Sequence, residues 1–139
     1  MNLITDRTKE DVLLGTEKGR YEASDLNRVE AAVGYLSLLA EAVASAEPLI
    51  TKTDWGVPGL FSSDSWPTKS QMERYLGNVK MLCQSVGISV DLPESMKNLT
   101  WDGANQIEKA LEMVHNQVVT SFKGYQYSGE FFAGEENGL

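Results

Sequence analysis

The sequence predicts a mainly α-helical protein: a three-helix core bundle with a long aromatic-rich loop and an irregular or short β C-terminal tail. Three observations carry this. Apolar residues recur at three- and four-residue spacing in three separate stretches. Each stretch opens on a capping-type residue. The four prolines fall at helix ends or between the stretches, where a missing backbone N–H does no harm. The 139 residues divide into an N-terminal arm or short helix over 1–20, a helical core domain over 21–122 and a C-terminal tail over 123–139.

Within 1–20, Thr8 and Asp11 resemble a capped helix start, and Val12, Leu13 and Leu14 supply a small apolar patch. Gly15 and Gly19 limit its length. The first strong helix is expected from about Asp25 to Ala46, with Leu26, Val29, Val33, Leu36, Ala40 and Val43 along one face. Pro48 closes it, because a proline pushes the preceding residue out of helical geometry.

Residues 47–67 form the long loop, EPLITKTDWGVPGLFSSDSWP. Linkers are polar and low in aromatics; this one is neither. Trp55, Leu60, Phe61 and Trp66 are expected to fold back onto the helices. Aromatic side chains also dominate interface energetics, so Trp55, Phe61 and Trp66 are candidates for an interaction surface. The second helix starts on a Thr68…Gln71 capping box and stops at Gly87. Met72, Tyr75, Leu76, Val79, Leu82 and Val86 define its buried face. The third is expected from Gly103 to about Phe122, with Ala104, Ile107, Leu111, Val114 and Val118 inward. In the tail, Tyr125, Tyr127, Phe131 and Phe132 alternate with glycines and extend the candidate interaction surface.

The starts of the three helices share a pattern. Ser24, Thr68 and Asp102 each stand three residues before an amide: Asn27, Gln71 and Asn105. Two of these amides open matching runs, Asn27-Arg28-Val29-Glu30 and Asn105-Gln106-Ile107-Glu108. An amide neither titrates nor attacks. It offers two donors and an acceptor, enough to hold irregular backbone against a helix. Asn27, Gln71 and Asn105 are therefore structural. Asn27 and Asn105 are expected to be largely buried and bonded to backbone, with 47–67 the expected partner.

Chemistry is sparse. The net charge of −8, from 12 Lys+Arg and 20 Asp+Glu, argues against nucleic-acid binding, which needs clustered cations. No apolar run approaches the roughly 20 residues of a membrane span. The first residues lack the pattern of a signal peptide, so synthesis and folding in the cytoplasm are expected. Cys83 and His115 sit within helices without nucleophile signatures. Glu108 and Glu112, with His115 three residues on, match a Glu-x-x-His pattern only formally; a solvated flank is the expected reading. No catalytic residue, metal ligand or cofactor is assigned. Asp54 and Asp64, flanking the aromatic loop, are the only carboxylates worth testing for a cell-wall-directed enzyme.

The runs "ITDRT", "YEASDLNRVEAAVGYL", "DWGVP…WPTKSQMERYLGNVKML", "LPESMKNLTWDGANQIEKALEMV" and "YQYSGEFFAGE" resemble a group of small proteins from phages and prophages of Gram-positive bacteria, encoded among tail and host-recognition genes. The resemblance covers nearly the whole chain. It implies a virion structural protein (a tail, baseplate or fibre-associated component) that acts through protein–protein contacts. The partners implied are other phage structural proteins and further copies of itself, without nucleic acid or membrane. The alternative is a non-virion acidic module that binds a host protein.

Overall fold

Helical spacing in the sequence becomes four helices among the described residues. A computed structural model of the chain describes residues 1–56 and 67–121 in full, and residues 122–133 by their backbone. The helices are α1 (Lys9–Leu14), α2 (Ala23–Ala44), α3 (Lys69–Ser85) and α4 (Trp101–Ala133). The three long ones pack on one another. The core takes Leu26, Val29, Val33, Leu36 and Ala40 from α2, Tyr75, Leu76, Val79 and Leu82 from α3, and Ile107, Leu111, Val114 and Val118 from α4. These are the residues at three- and four-residue spacing; burying each large side chain contributes about 1.5–3 kcal/mol before entropy is counted.

The helix starts differ from expectation at two places. α2 begins at Ala23, and Asp25 Oδ2 accepts from the Glu22 N–H at 2.7 Å, so Ser24 lies inside the helix. α4 begins at Trp101, where Thr100 Oγ1 accepts from the Gly103 N–H at 3.0 Å and Asp102 lies inside. Asn27 and Asn105 are thus each the fifth residue of their helix, too deep to cap it. Gln71 does cap: its Oε1 accepts from the Thr68 N–H at 2.9 Å, and Thr68 Oγ1 accepts from the Gln71 N–H at 3.2 Å. Thr8 and Asp11 form the same reciprocal box on α1.

The C-terminal tail differs too. Residues 123–133 continue α4 instead of turning into an irregular or β tail. No proline interrupts the chain after Pro93, and a glycine inside a helix costs only about 1 kcal/mol. Gly124 and Gly129 are therefore weaker stops than they look in sequence.

The long helices run in the same direction. Arg28 of α2 meets Glu108 of α4, and Tyr35 stands beside His115. The same offset in both pairs fixes a parallel register. α3 starts at this end as well, with Arg74 on Glu30. Parallel helices require return connections, and segments among the described residues lie extended against the bundle. After α2 the chain runs back down that helix: the Leu49 N–H donates to Ser37 Oγ at 3.1 Å, Thr51 passes Gly34, and Trp55 reaches Asn27. Residues 3–7 lie against α4 in the same sense. The first residues are accordingly part of the core assembly, with Arg7 only 3% exposed.

Candidate functional site

Two helices hold two extended segments by one device. Asn105 grips both backbone groups of Arg7: Oδ1 accepts the Arg7 N–H at 3.1 Å, and Nδ2 donates to the Arg7 carbonyl at 2.9 Å. Asn27 grips Trp55 in the same way, at 2.8 and 3.0 Å. One helical turn later stands a buried glutamate. Glu108 Oε1 accepts the Ile4 N–H at 2.9 Å, and Glu30 Oε1 accepts the Lys52 N–H at 3.1 Å. In both cases that N–H lies three residues before the gripped one. An antiparallel extended segment is thereby pinned at two points.

The correspondence continues into the side chains. Arg7 Nη2 donates to Glu108 Oε2 at 2.7 Å, and Trp55 Nε1 donates to Glu30 Oε2 at 2.7 Å. An arginine from the neighbouring helix then closes each glutamate. Arg28 Nε and Nη2 reach Glu108 at 2.9 and 2.7 Å. Arg74 Nη1 and Nη2 reach Glu30 at 2.7 and 2.8 Å. Arg28 and Arg74 are both the sixth residue of their helix. Such bidentate pairs are strong and directional. Bonding to Glu108 holds the Arg28 guanidinium's pKa well above its ordinary value, and bonding to Glu30 raises that of Arg74.

The two clasps differ in charge. The Glu108 clasp is an ionic cluster, because Asp25 also takes Arg28 at 2.7 Å and Arg7 at 3.4 Å. Two cations there balance two carboxylates. The Glu30 clasp replaces the inner arginine with an indole. Asn78 adds to it by donating to the Ile50 carbonyl at 2.8 Å, a carbonyl Arg74 also reaches. Glu108 was expected on a solvated flank and is instead fully buried; only Glu112 is exposed. The reason is the register: Glu108 follows Asn105 by one turn and faces the segment that Asn105 holds.

Asn27 has the expected partner loop, whereas Asn105 holds the N-terminal segment. Trp55 is 2% exposed, so it belongs to a clasp and not to a surface. Phe61, Trp66 and Asp64 lie outside the described residues. Tyr125, Tyr127, Phe131 and Phe132 fall on the last turns of α4, described by backbone alone. Asp54 is exposed and pairs with Lys52 at 2.6 Å. Cys83 is buried, and burial pushes its thiol pKa up, away from a reactive thiolate. His115 lies beside the Tyr35 ring, with centroids 6.4 Å apart. Among the described residues, no group of three or more His, Cys, Asp or Glu is placed to hold a metal ion.

Behind the ionic clasp, the hydroxyls of Tyr21 and Tyr75 hydrogen-bond to each other, and the Arg7 guanidinium lies 5.5 Å from the Tyr21 ring centroid. Tyr21 also borders an open groove of about 890 Å³ over α3. Among known proteins, no family model, curated protein or solved structure matches this chain significantly.

The segments held by the clasps are themselves alike, which the reading of helix starts missed. Leu-Ile-Thr occurs at 3–5 and again at 49–51, and Thr-Asp occurs at 5–6 and 53–54. Each Thr-Asp directly precedes a gripped residue. Pairing this short repeat with the two Asn-x-x-Glu runs would have revealed the device.

Proposed function

We propose that this chain is a structural protein of a phage particle, a tail, baseplate or fibre-associated component that works by protein–protein contact. The observation that carries the reading is the ordered set of sequence runs, from "ITDRT" to "SGEFFAGE", that resemble proteins encoded among phage tail and host-recognition genes. The geometry is consistent with an assembly role. The buried carboxylates Glu30, Glu108 and Asp25 are engaged by arginines or backbone, which leaves them poorly suited to acid–base work. The outer surface presents large apolar side chains: Leu13 and Leu14 on α1, Leu38 on α2, and Ile50 in the return segment. Leu13 and Leu14 are adjacent, and an exposed apolar patch suits contact with other proteins. On this reading the protein is made in the host cytoplasm, incorporated into the particle beside further copies of itself, and has no catalysis of its own.

Mass spectrometry of purified particles tests the proposal. The chain should be present at a stoichiometry comparable to other tail components. Its absence from particles, with retrieval of a host protein from lysate instead, would support the acidic host-binding module.

A further inference from the structure

The bundle alternates three helices with three returning segments. Residues 3–7 lie on α4 and reach α2; residues 49–55 lie on α2 and reach α3. Residues 89–99 complete the set, with 89–91 against α4 and 94–99 across from α3. Two of these three arrangements are clasped. The third is not. At the fifth and eighth positions, where α2 and α4 carry Asn and Glu, α3 carries Glu73 and Leu76. There segment 94–99 stands off the helix, and the groove of about 890 Å³ opens between them.

We propose that this groove takes up an extended peptide segment of a partner protein, one in which an acidic residue adjoins a bulky apolar side chain. The inference goes beyond the particle assignment and does not depend on it. Its first support is equivalence. The corresponding places on α2 and α4 are each filled by an extended segment in which Asp precedes a large buried side chain: Asp54-Trp55 and Asp6-Arg7. Each Asp stays at the surface and pairs with a lysine, Lys52 at 2.6 Å and Lys18 at 3.2 Å.

The second support is the chemistry of the groove. Leu26, Met72, Leu76, Met96 and Leu99 line it, so an apolar anchor fits. With Leu76 where the clasps have glutamate, the floor of the groove is apolar and favours an aromatic or aliphatic anchor. Lys69, Lys80 and Lys97 border the groove against Glu73 and Glu94. This is a local positive excess on a chain of net charge −8, complementary to an acidic segment. Gly77 leaves the wall open: among the described residues, a Cβ added there meets nothing within 4 Å.

The probe is a fluorescein-labelled peptide with the sequence of residues 49–56, LITKTDWG, titrated against the whole protein by fluorescence anisotropy. Saturable binding is expected. Gly77→Phe fills the groove and should weaken binding at least tenfold, while Gly77→Ala should leave it within twofold. Circular dichroism melting establishes that both variants are folded, and the exposed change Lys80→Glu provides a second test by weakening binding several-fold. A peptide with Lys in place of its Asp should also bind several-fold more weakly. Absence of saturable binding, or equal binding by Gly77→Phe, overturns the proposal. So does a concentration-dependent dimer of the unaltered protein that Gly77→Phe abolishes, since the groove would then belong to a second copy.

Discussion

Asn27 and Asn105 occupy the same position in two parallel helices, and each holds the backbone N–H and C=O of one residue in a segment without secondary structure. A strand would meet those groups with another strand. Here a single side-chain amide does so, and a glutamate one turn further on meets the next. The helices thus serve as rails for returning chain.

Replacing either amide leaves backbone groups without partners, at roughly 1–3 kcal/mol for each buried group. Asn105 is 4% exposed, so Asn105→Ala should cost about 2–3 kcal/mol in urea unfolding. Asn27 is half-buried, and Asn27→Ala should cost about 1–2 kcal/mol by the same reasoning. Asn→Asp at either site keeps the acceptor but loses the donor, and should destabilise despite matching in shape.

Glu108 and Glu112 separate a clasp from a flank. Glu108→Ala leaves buried Arg7 without its closest carboxylate, and removing one partner of a buried pair typically costs about 3–5 kcal/mol. Glu112→Ala should fall within about 0.5 kcal/mol of the unaltered chain, as exposed positions do. Equal effects in thermal melts would contradict the burial assigned to Glu108.

Two glycines should respond in opposite directions. Gly56 follows the gripped Trp55 with φ of +72°, and an added Cβ would lie 2.7 Å from the Ala23 Cβ. Gly56→Ala should therefore destabilise by about 1–2 kcal/mol or more, the left-handed conformation alone accounting for that much. Gly77→Ala, where an added Cβ meets none of the described residues within 4 Å, should stabilise the helix by about 1 kcal/mol. Denaturant midpoints measure both.

Burial raises the pKa of Tyr21 and of Tyr75 above the ordinary value of 10.0. The folded chain therefore keeps two protons that the unfolded chain releases above that value. Stability contributed by the neutral pair is fully present below pH 10 and declines as pH rises above it. In an alkaline absorbance titration, two of the five tyrosines should ionise only as the chain unfolds. Five tyrosines titrating together on a folded chain would contradict this.

The three long helices were legible because apolar spacing alone specifies them, and Thr68 and Gln71 announced their cap. The structural role of Asn27 and Asn105 was legible as well, since an amide has little else to do. What escaped was the other half of each contact. Glu108 looks like any helix-flank carboxylate until Arg7, Ile4 and Arg28 arrive from elsewhere in the chain. Long-range pairs of this kind leave no periodic trace. The N-terminal residues read as an arm because no long apolar repeat ties them to the bundle; Asn105 and Glu108 hold them from about a hundred residues away. The continuation of α4 past Phe122 was hidden by glycines, whose modest helix cost cannot by itself decide where a helix ends.

Amide hydrogen exchange at Ile4, Arg7, Lys52 and Trp55 tests the paired clasps most directly. These four N–H groups lie outside every helix, and each donates to a side chain: Glu108, Asn105, Glu30 and Asn27. The clasps predict slow exchange at all four, with Arg7 losing protection in Asn105→Ala and Trp55 losing it in Asn27→Ala. Exchange at all four sites as fast as in an unstructured peptide would show that neither segment is held.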